Sequence, residues 1–228
     1  MVVSVNRKVI KEVVSTDFPE ISSRVKDEMA IPTYLHSNPL IRWLFWKRHD
    51  VSAEFATIDS EDTVLDFGCG IGVFLPTLCH LAGKVYATDL FPQYAKMLTQ
   101  ELDLKVEFIE ALSALPNTSL DIIIAADVSE HLHDATELLG IFAAKLRYKG
   151  RLVVSGPTEN SMYKLGRRIA GFSQKGDYHH TNIYQLTALI EKNGYQAVKS
   201  TMLPFRLPFL PCLFMVAVFE KNDVVTVS

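Results

Sequence analysis

The stretch Asp66-Phe67-Gly68-Cys69-Gly70-Ile71-Gly72 sets three glycines at alternate positions behind a carboxylate. They follow the apolar run "TVLDF", which reads as a strand, and precede "VFLPTLCHLA", which reads as a helix. Glycine weakens both kinds of element, so three together imply a turn that something approaches closely. Between a strand and its helix, that partner is typically a nucleotide. A second carboxylate, Asp89, ends the next strand 21 positions after Gly68. That is the place for a group that grips two ribose hydroxyls. A third cluster lies in "DVSEHLHD". Asp127 ends a strand there and should face the mouth of the site, and Glu130 and His131 follow about one helical turn later. A neutral imidazole suits proton transfer, so His131 and Asp127 are the candidate catalytic residues. The structural alternative is that this cluster shapes a loop, with Asp134 capping the next helix.

The elements that must position these groups are legible from apolar periodicity. From residue 63 onward, short apolar runs alternate with helical ones: "TVLDF", "KVYATD", "KVEFIE", "LDIIIAAD" and "GRLVVSG" as strands, with helices between them. Runs such as 122–126 are apolar throughout, as in strands buried on both faces. Repeated strand–helix units predict an α/β fold, a doubly wound parallel sheet with helices on both faces. "QAVKSTM" and "CLFMVAVFEK", with only a loop between them, predict a hairpin that puts one antiparallel strand in the sheet. Pro76 falls inside the first helical run and predicts a kink near its start. Residues 1–60 differ. They read as a helical segment outside the sheet pattern, and their aromatic content suggests a lid over the cleft at residues 31–49. Tyr34, His36, Trp43 and Trp46 would then roof a substrate, or else form the apolar face of a packed helix.

Bulk properties exclude several classes. The chain has 228 residues, room for one sizeable core. Its formal net charge of -3 gives no sign of nucleic-acid binding. The three cysteines are scattered, without a C-x-x-C pair, which fits a reducing compartment better than disulfides or zinc. The longest apolar run, 207–219, is too short to span a bilayer and holds two prolines. The N-terminus lacks the apolar stretch of a signal peptide. A cytoplasmic protein acting on a small molecule is expected; oligomeric state is open.

Dinucleotide-binding turns follow G-x-G-x-x-G, whose third glycine would fall at Val73; here the pattern is G-x-G-x-G. With Asp66 ahead of it, the loop resembles motif I of class I S-adenosylmethionine-dependent methyltransferases. "VYATDL" resembles their second motif, "LPNTSLDIIIAADVSEHLHD" the signature of their small-molecule branch, and "GRLVVSGP" their fifth strand and its exit. The resemblance runs from about residue 63 to the end. It implies a Rossmann-like sheet of seven strands, one of them antiparallel, and S-adenosylmethionine as cofactor. It implies that Gly68, Cys69 and Gly70 lie against the methionine portion and Asp66 orients its ammonium group. Asp89 would take the ribose hydroxyls and Leu90 would lie against adenine. The family often carries Gly-Asp-Ala after the third strand, but here Ala111 stands at the Asp position. Glu110 would substitute, or packing near Leu112 would hold adenine. In quinone-type relatives an acid-x-x-Glu-His cluster is proposed to hold a divalent metal, and Asp127, Glu130 and His131 match that spacing with a shorter acid. Relatives also carry a histidine near the acceptor, where His179 and His180 stand. The implied function is methyl transfer to a small, apolar or aromatic acceptor, with a catalytically silent cofactor-binding subunit as the alternative.

Overall fold

A computed structural model describes residues 3–126, 135–160, 163, 182–204 and 212–222. Seven strands form one sheet: β1 (Thr63–Phe67), β2 (Lys84–Thr88), β3 (Glu107–Phe108), β4 (Leu120–Ala126), β5 (Leu146–Pro157), β6 (Tyr195–Leu203) and β7 (Phe214–Lys221). Their spatial order is β3-β2-β1-β4-β5-β7-β6. Pairings from β3 through β5 are parallel, while β7 runs antiparallel to both β5 and β6. The expected hairpin is therefore present, and β7 is the antiparallel strand. The chain moves outward from β1 to β3, then returns to the other side of β1 as β4. That reversal opens a crevice at the carboxyl ends of β1 and β4.

The sheet is held by burial on both faces. Val64, Ile122, Ile124 and Val153 point to one face, and Leu65, Ile123, Leu152 and Val154 to the other, as the two-residue period requires. The first set packs on α4 (Pro39–Ala56) and α5 (Leu75–Leu81), the second on α7 (Ala135–Lys145) and α8 (Ile183–Lys192). Each fully buried aliphatic side chain is worth about 1.5–3 kcal/mol. Asn182 and Gln185 close a reciprocal capping box at the start of α8.

Two local expectations change. α5 begins at Leu75, so Pro76 sits in its first turn, where a missing N–H costs nothing and no kink is needed. β5 begins at Leu146, ahead of the expected start at Gly150. Its first residues pair separately with β4, across a register break between Leu120 and Ile122.

The N-terminal segment forms α1 (Arg7–Val14), α2 (Ser23–Glu28), α3 (Ile31–Tyr34) and α4. Asn6, Ser22 and Asn38 cap α1, α2 and α4 through their side chains. Ile10, Val13, Ile21 and Ile31 pack with Ile71, Val73, Tyr94 and Leu98. The last four come from the glycine turn and from α6 (Gln93–Glu101). This third apolar cluster seats the segment on the same end of the sheet as the crevice. Among the described residues, no helix is long and apolar enough to cross a membrane.

Candidate functional site: a cleft between the glycine turn and the N-terminal helices

β1 delivers Asp66 to its carboxyl end, and the chain then turns through Gly68, Gly70 and Gly72 at φ +76°, +54° and +79°. Those left-handed angles strain any residue with a Cβ. Gly72 has a second constraint, since a Cβ there would lie 3.1 Å from Ala95 and from Leu75. It brings α6 against the turn. Gly70 has space on its own side; a Cβ would meet Met29 only at 3.9 Å, in ordinary contact. The loop's amides are heavily committed. Gly68 and Cys69 donate to the Thr88 carbonyl at 2.9 and 3.1 Å, and Gly72 donates to Cys69 at 2.8 Å. Gly70 donates to Asp89 Oδ2 at 2.8 Å, and Phe91 donates to Asp89 Oδ1 at 2.9 Å. Asp89 thus clamps the glycine turn to the end of β2. Each oxygen keeps a lone pair for a further donor.

Asp66 is in a different state. It is 3% exposed, and its Oδ2 has no hydrogen-bond partner among the described residues. Burial, reinforced by the negative charge of Asp89, pushes its carboxyl up to about 7. The neighbouring Cys69 thiol is pushed well up by burial and then by both carboxylates. It is a small apolar filler of the turn, not a nucleophile.

A cleft of about 470 Å³ lies over this turn. Its floor is Asp66 to Ile71, and its far edge holds Asp89, Leu90, Glu110, Ala111 and Leu112. Its roof comes from the N-terminal helices, with Val25, Glu28, Met29, Tyr34, Arg48 and His49. Leu90 is 88% exposed and Leu112 buried, so the edge offers one free apolar flap and one fixed one. Ala126, the last residue of β4, also lines the cleft. Asp66, Gly68, Cys69, Gly70, Asp89, Leu90 and Leu112 are therefore brought together. Asp127, Glu130, His131, His179 and His180 lie outside the described residues. Among the described residues no cluster of three metal-ligating side chains occurs. Of the expected aromatic roof, Tyr34 lines the cleft. Trp46 packs in the N-terminal apolar cluster, Trp43 is 42% exposed, and His36 accepts from the Asn38 amide at 3.0 Å.

Arg48 and His49 belong to this roof; both fall within the lid expected at residues 31–49, with no individual role expected of either. Arg48 is 2% exposed, with its guanidinium 4.9 and 5.0 Å from the rings of Phe45 and Phe214. His49 is 5% exposed and stacks on Phe74 at 4.5 Å. Its Nε2 lies 2.7 Å from the Tyr34 hydroxyl. Burial, and then the Arg48 charge, hold its pKa well below the usual histidine range, so the ring is neutral. One signal was available. In "FWKRHDVS", Arg48 stands three residues after Phe45 and four before Ser52, on the face of α4 that is buried. A cation on an apolar helix face asks for a partner or a ligand.

Comparison with known proteins agrees with this geometry. A family model described as a methyltransferase domain matches residues 43–200. The chain is 28% identical to the "Ubiquinone biosynthesis O-methyltransferase" of Xanthomonas euvesicatoria pv. vesicatoria, over 58% of this chain and 62% of that protein. It thus spans about three-fifths of the length of the curated relatives it matches. The fold is similar to a SAM-dependent methyltransferase from Aquifex aeolicus, with TM-score 0.63 and 18% identity, covering 96% of this chain and 100% of that one. It is also similar to the [4+2]-cyclase SpnF, with TM-score 0.66 and 13% identity, covering 97% and 98%. The family match takes in more than half of the chain, together with the glycine turn and the seven-stranded sheet, and on that ground the chain belongs to the class I S-adenosylmethionine-dependent methyltransferases.

Proposed function

We propose that this domain transfers a methyl group from S-adenosylmethionine to a small, apolar or aromatic acceptor. The observation that carries the reading is Asp66. A buried carboxylate with an oxygen lacking a partner costs several kcal/mol unless a cation meets it. The ammonium of a methionine portion lying on the glycine turn is such a cation. At the other end, Asp89 accepts the two ribose hydroxyls with its remaining lone pairs, and Leu90 and Leu112 pack against adenine. Glu110 lines the same edge and would answer the adenine amino group in place of the absent Asp.

The cofactor supplies an activated methyl group on a sulfonium. The protein's work is alignment and the exclusion of water. The roof residues Met29, Tyr34 and His49 close the cleft above the turn. β4 brings the chain to the cleft at Ala126, immediately before Asp127. His131 takes the acceptor's proton where the acceptor must lose one, with Asp127 the second candidate catalytic group. The aromatic character of the acceptor is supported by Tyr34, Phe74 and Phe91, which line the cleft, and by the named activity of the ubiquinone-pathway relatives.

SpnF shows that this fold also serves a cyclase, so fold alone does not decide the reaction. The test must follow the methyl group itself. Purified protein is incubated with S-adenosylmethionine labelled in the methyl and with a panel of phenols, catechols and amines. Label in an acceptor and stoichiometric S-adenosylhomocysteine are expected. Tight S-adenosylhomocysteine binding without any labelled acceptor across the panel would support a silent binding subunit instead.

A further inference from the structure

We infer that the Tyr34–His49 pair in the roof is the subsite for the carboxylate end of the bound amino-acid tail, and so sets specificity for cofactors that carry it. The inference rests on the cofactor reading above and adds residues to it that no motif marks.

The turn cannot supply all the donors such a tail needs. An α-amino acid presents one cation and one anion. Asp66 answers the cation. The anion needs N–H or O–H donors, and the amides of Gly68, Cys69, Gly70 and Gly72 are already spent on Thr88, Asp89 and Cys69, which leaves the turn the Ile71 amide. Further donors come from across the cleft. His49 lines that side, and its Nδ1 is buried with no partner among the described residues. A neutral imidazole carries one donor and one acceptor nitrogen. Tyr34 stands 2.7 Å from Nε2. When the phenol donates to Nε2, the ring proton resides on Nδ1, the atom in need of an acceptor. A carboxylate satisfies it, and the bond is charge-assisted.

The ring is held for this task. It lies nearly parallel to Tyr34, at 12° and 6.1 Å, stacks on Phe74 and meets Trp46 edge-on. Phe74 is the residue from which α5 starts, directly after the glycine turn, so floor and roof share one aromatic contact. Arg48 adds positive charge at the same end of the cleft.

Calorimetry with two ligands separates this subsite from general damage. S-adenosylhomocysteine carries the amino-acid tail; 5′-methylthioadenosine keeps the nucleoside and thioether but lacks it. His49→Leu is expected to weaken S-adenosylhomocysteine roughly 10-fold to 100-fold, the range for one bond to a charged group, and to leave methylthioadenosine within about twofold. His49→Asn, whose amide N–H stands near the lost Nδ1–H, should recover most of that loss. Tyr34→Phe should give a smaller selective loss, because the tautomer is no longer held. Melting curves report folding, and if His49→Leu does not fold, His49→Asn and Tyr34→Phe carry the comparison. Equal losses for both ligands, or none for either, would overturn the subsite while leaving the cofactor reading intact. A wild-type protein that binds neither ligand would overturn both.

Discussion

The floor and the roof of the cleft hold their polar groups by different means. On the floor, backbone amides and two carboxylates are fixed by the glycine turn; each Asp89 oxygen accepts one backbone amide and keeps room for another donor, and Asp66 is left with an oxygen in need of a cation. In the roof, side chains do the work. Arg48 is flanked by Phe45 and Phe214, and His49 is held between Phe74 and Tyr34. A site made of backbone needs particular residues at particular positions, because few sequences tolerate three left-handed turns in five residues. A site made of side chains on a helix needs only that the helix present the right face. The two walls therefore differ in how they should respond to mutation and pH.

The largest expected effect is on the floor. At neutral pH, keeping Asp66 partly ionised in the empty protein costs stability, up to about 4 kcal/mol for a carboxyl raised from the ordinary range to about 7. The sign follows from proton uptake. The folded state holds this proton more tightly than the unfolded state, so the stability linked to it is present at low pH and lost as pH rises toward 7. Asp66→Asn removes that cost. Its ligand-free form should melt higher than wild type at pH 8, with the gap closing toward pH 4. The same change should weaken S-adenosylhomocysteine at least about 100-fold, since the ammonium then meets no charge. A mutant that is more stable and still binds normally would break the assignment of Asp66.

Asp89→Ala should come next. It removes the proposed acceptor of two ribose hydroxyls, and it frees the Gly70 and Phe91 amides that shape the turn. Calorimetry should show at least a tenfold loss of S-adenosylhomocysteine affinity, about 1.4 kcal/mol. An unchanged constant in a folded mutant would mean that the ribose lies elsewhere.

Legibility in the sequence divides along the same line. The sheet, its antiparallel strand, Asp66, the glycines and Asp89 could all be read, because left-handed backbone and strand ends leave marks in residue type. Glu110, Ala111 and Leu112 follow from the family resemblance, which sets them after the third strand, and they line the cleft edge. The double duty of Asp89 was not legible; it depends on Gly70 folding back 19 residues along the chain, which no local pattern reports. Arg48 and His49 carry no mark of their own, because the aromatic content of residues 31–49 draws the lid reading to Tyr34, Trp43 and Trp46. Only the packing of α4 against β5 and β7 shows that Arg48 and His49 are inside. The start of β5 was misjudged for a related reason. Lys145 looks like a surface residue, yet its ammonium is buried on the Leu115 carbonyl and the Asn117 amide oxygen, and it ends the helix there.

The pH dependence of binding sharpens the contrast further. An ammonium that pairs with Asp66 favours its ionised form, so binding should release a proton below pH 7. With the empty-site value at about 7, affinity for S-adenosylhomocysteine should fall roughly tenfold from pH 8 to pH 6. The roof should contribute little to this slope, because burial and the Arg48 charge hold the His49 pKa well below the usual histidine range. Titrations in buffers of different ionisation enthalpy would count the protons. A slope that survives in Asp66→Asn would move its origin away from the floor.

The smallest effect concerns the joint between α2 and α3. Ala30 lines the cleft with φ +56°, a left-handed angle that alanine adopts at a cost of about 1–2 kcal/mol. The neighbouring Met29 stands over the turn, where a Cβ added at Gly70 would meet it at 3.9 Å. Ala30→Gly relieves the strain, but glycine also loosens the unfolded chain by about 0.4–1 kcal/mol. The two terms oppose each other, and stability should rise by no more than about 1.5 kcal/mol, read as a shift of a few degrees in melting. Floor glycines should behave oppositely. Gly72→Ala puts a Cβ at 3.1 Å from Ala95 in a left-handed backbone, so strain and crowding add where at Ala30 they offset. A loss of stability in Ala30→Gly as large as in Gly72→Ala would mean that the roof, too, is held by its backbone.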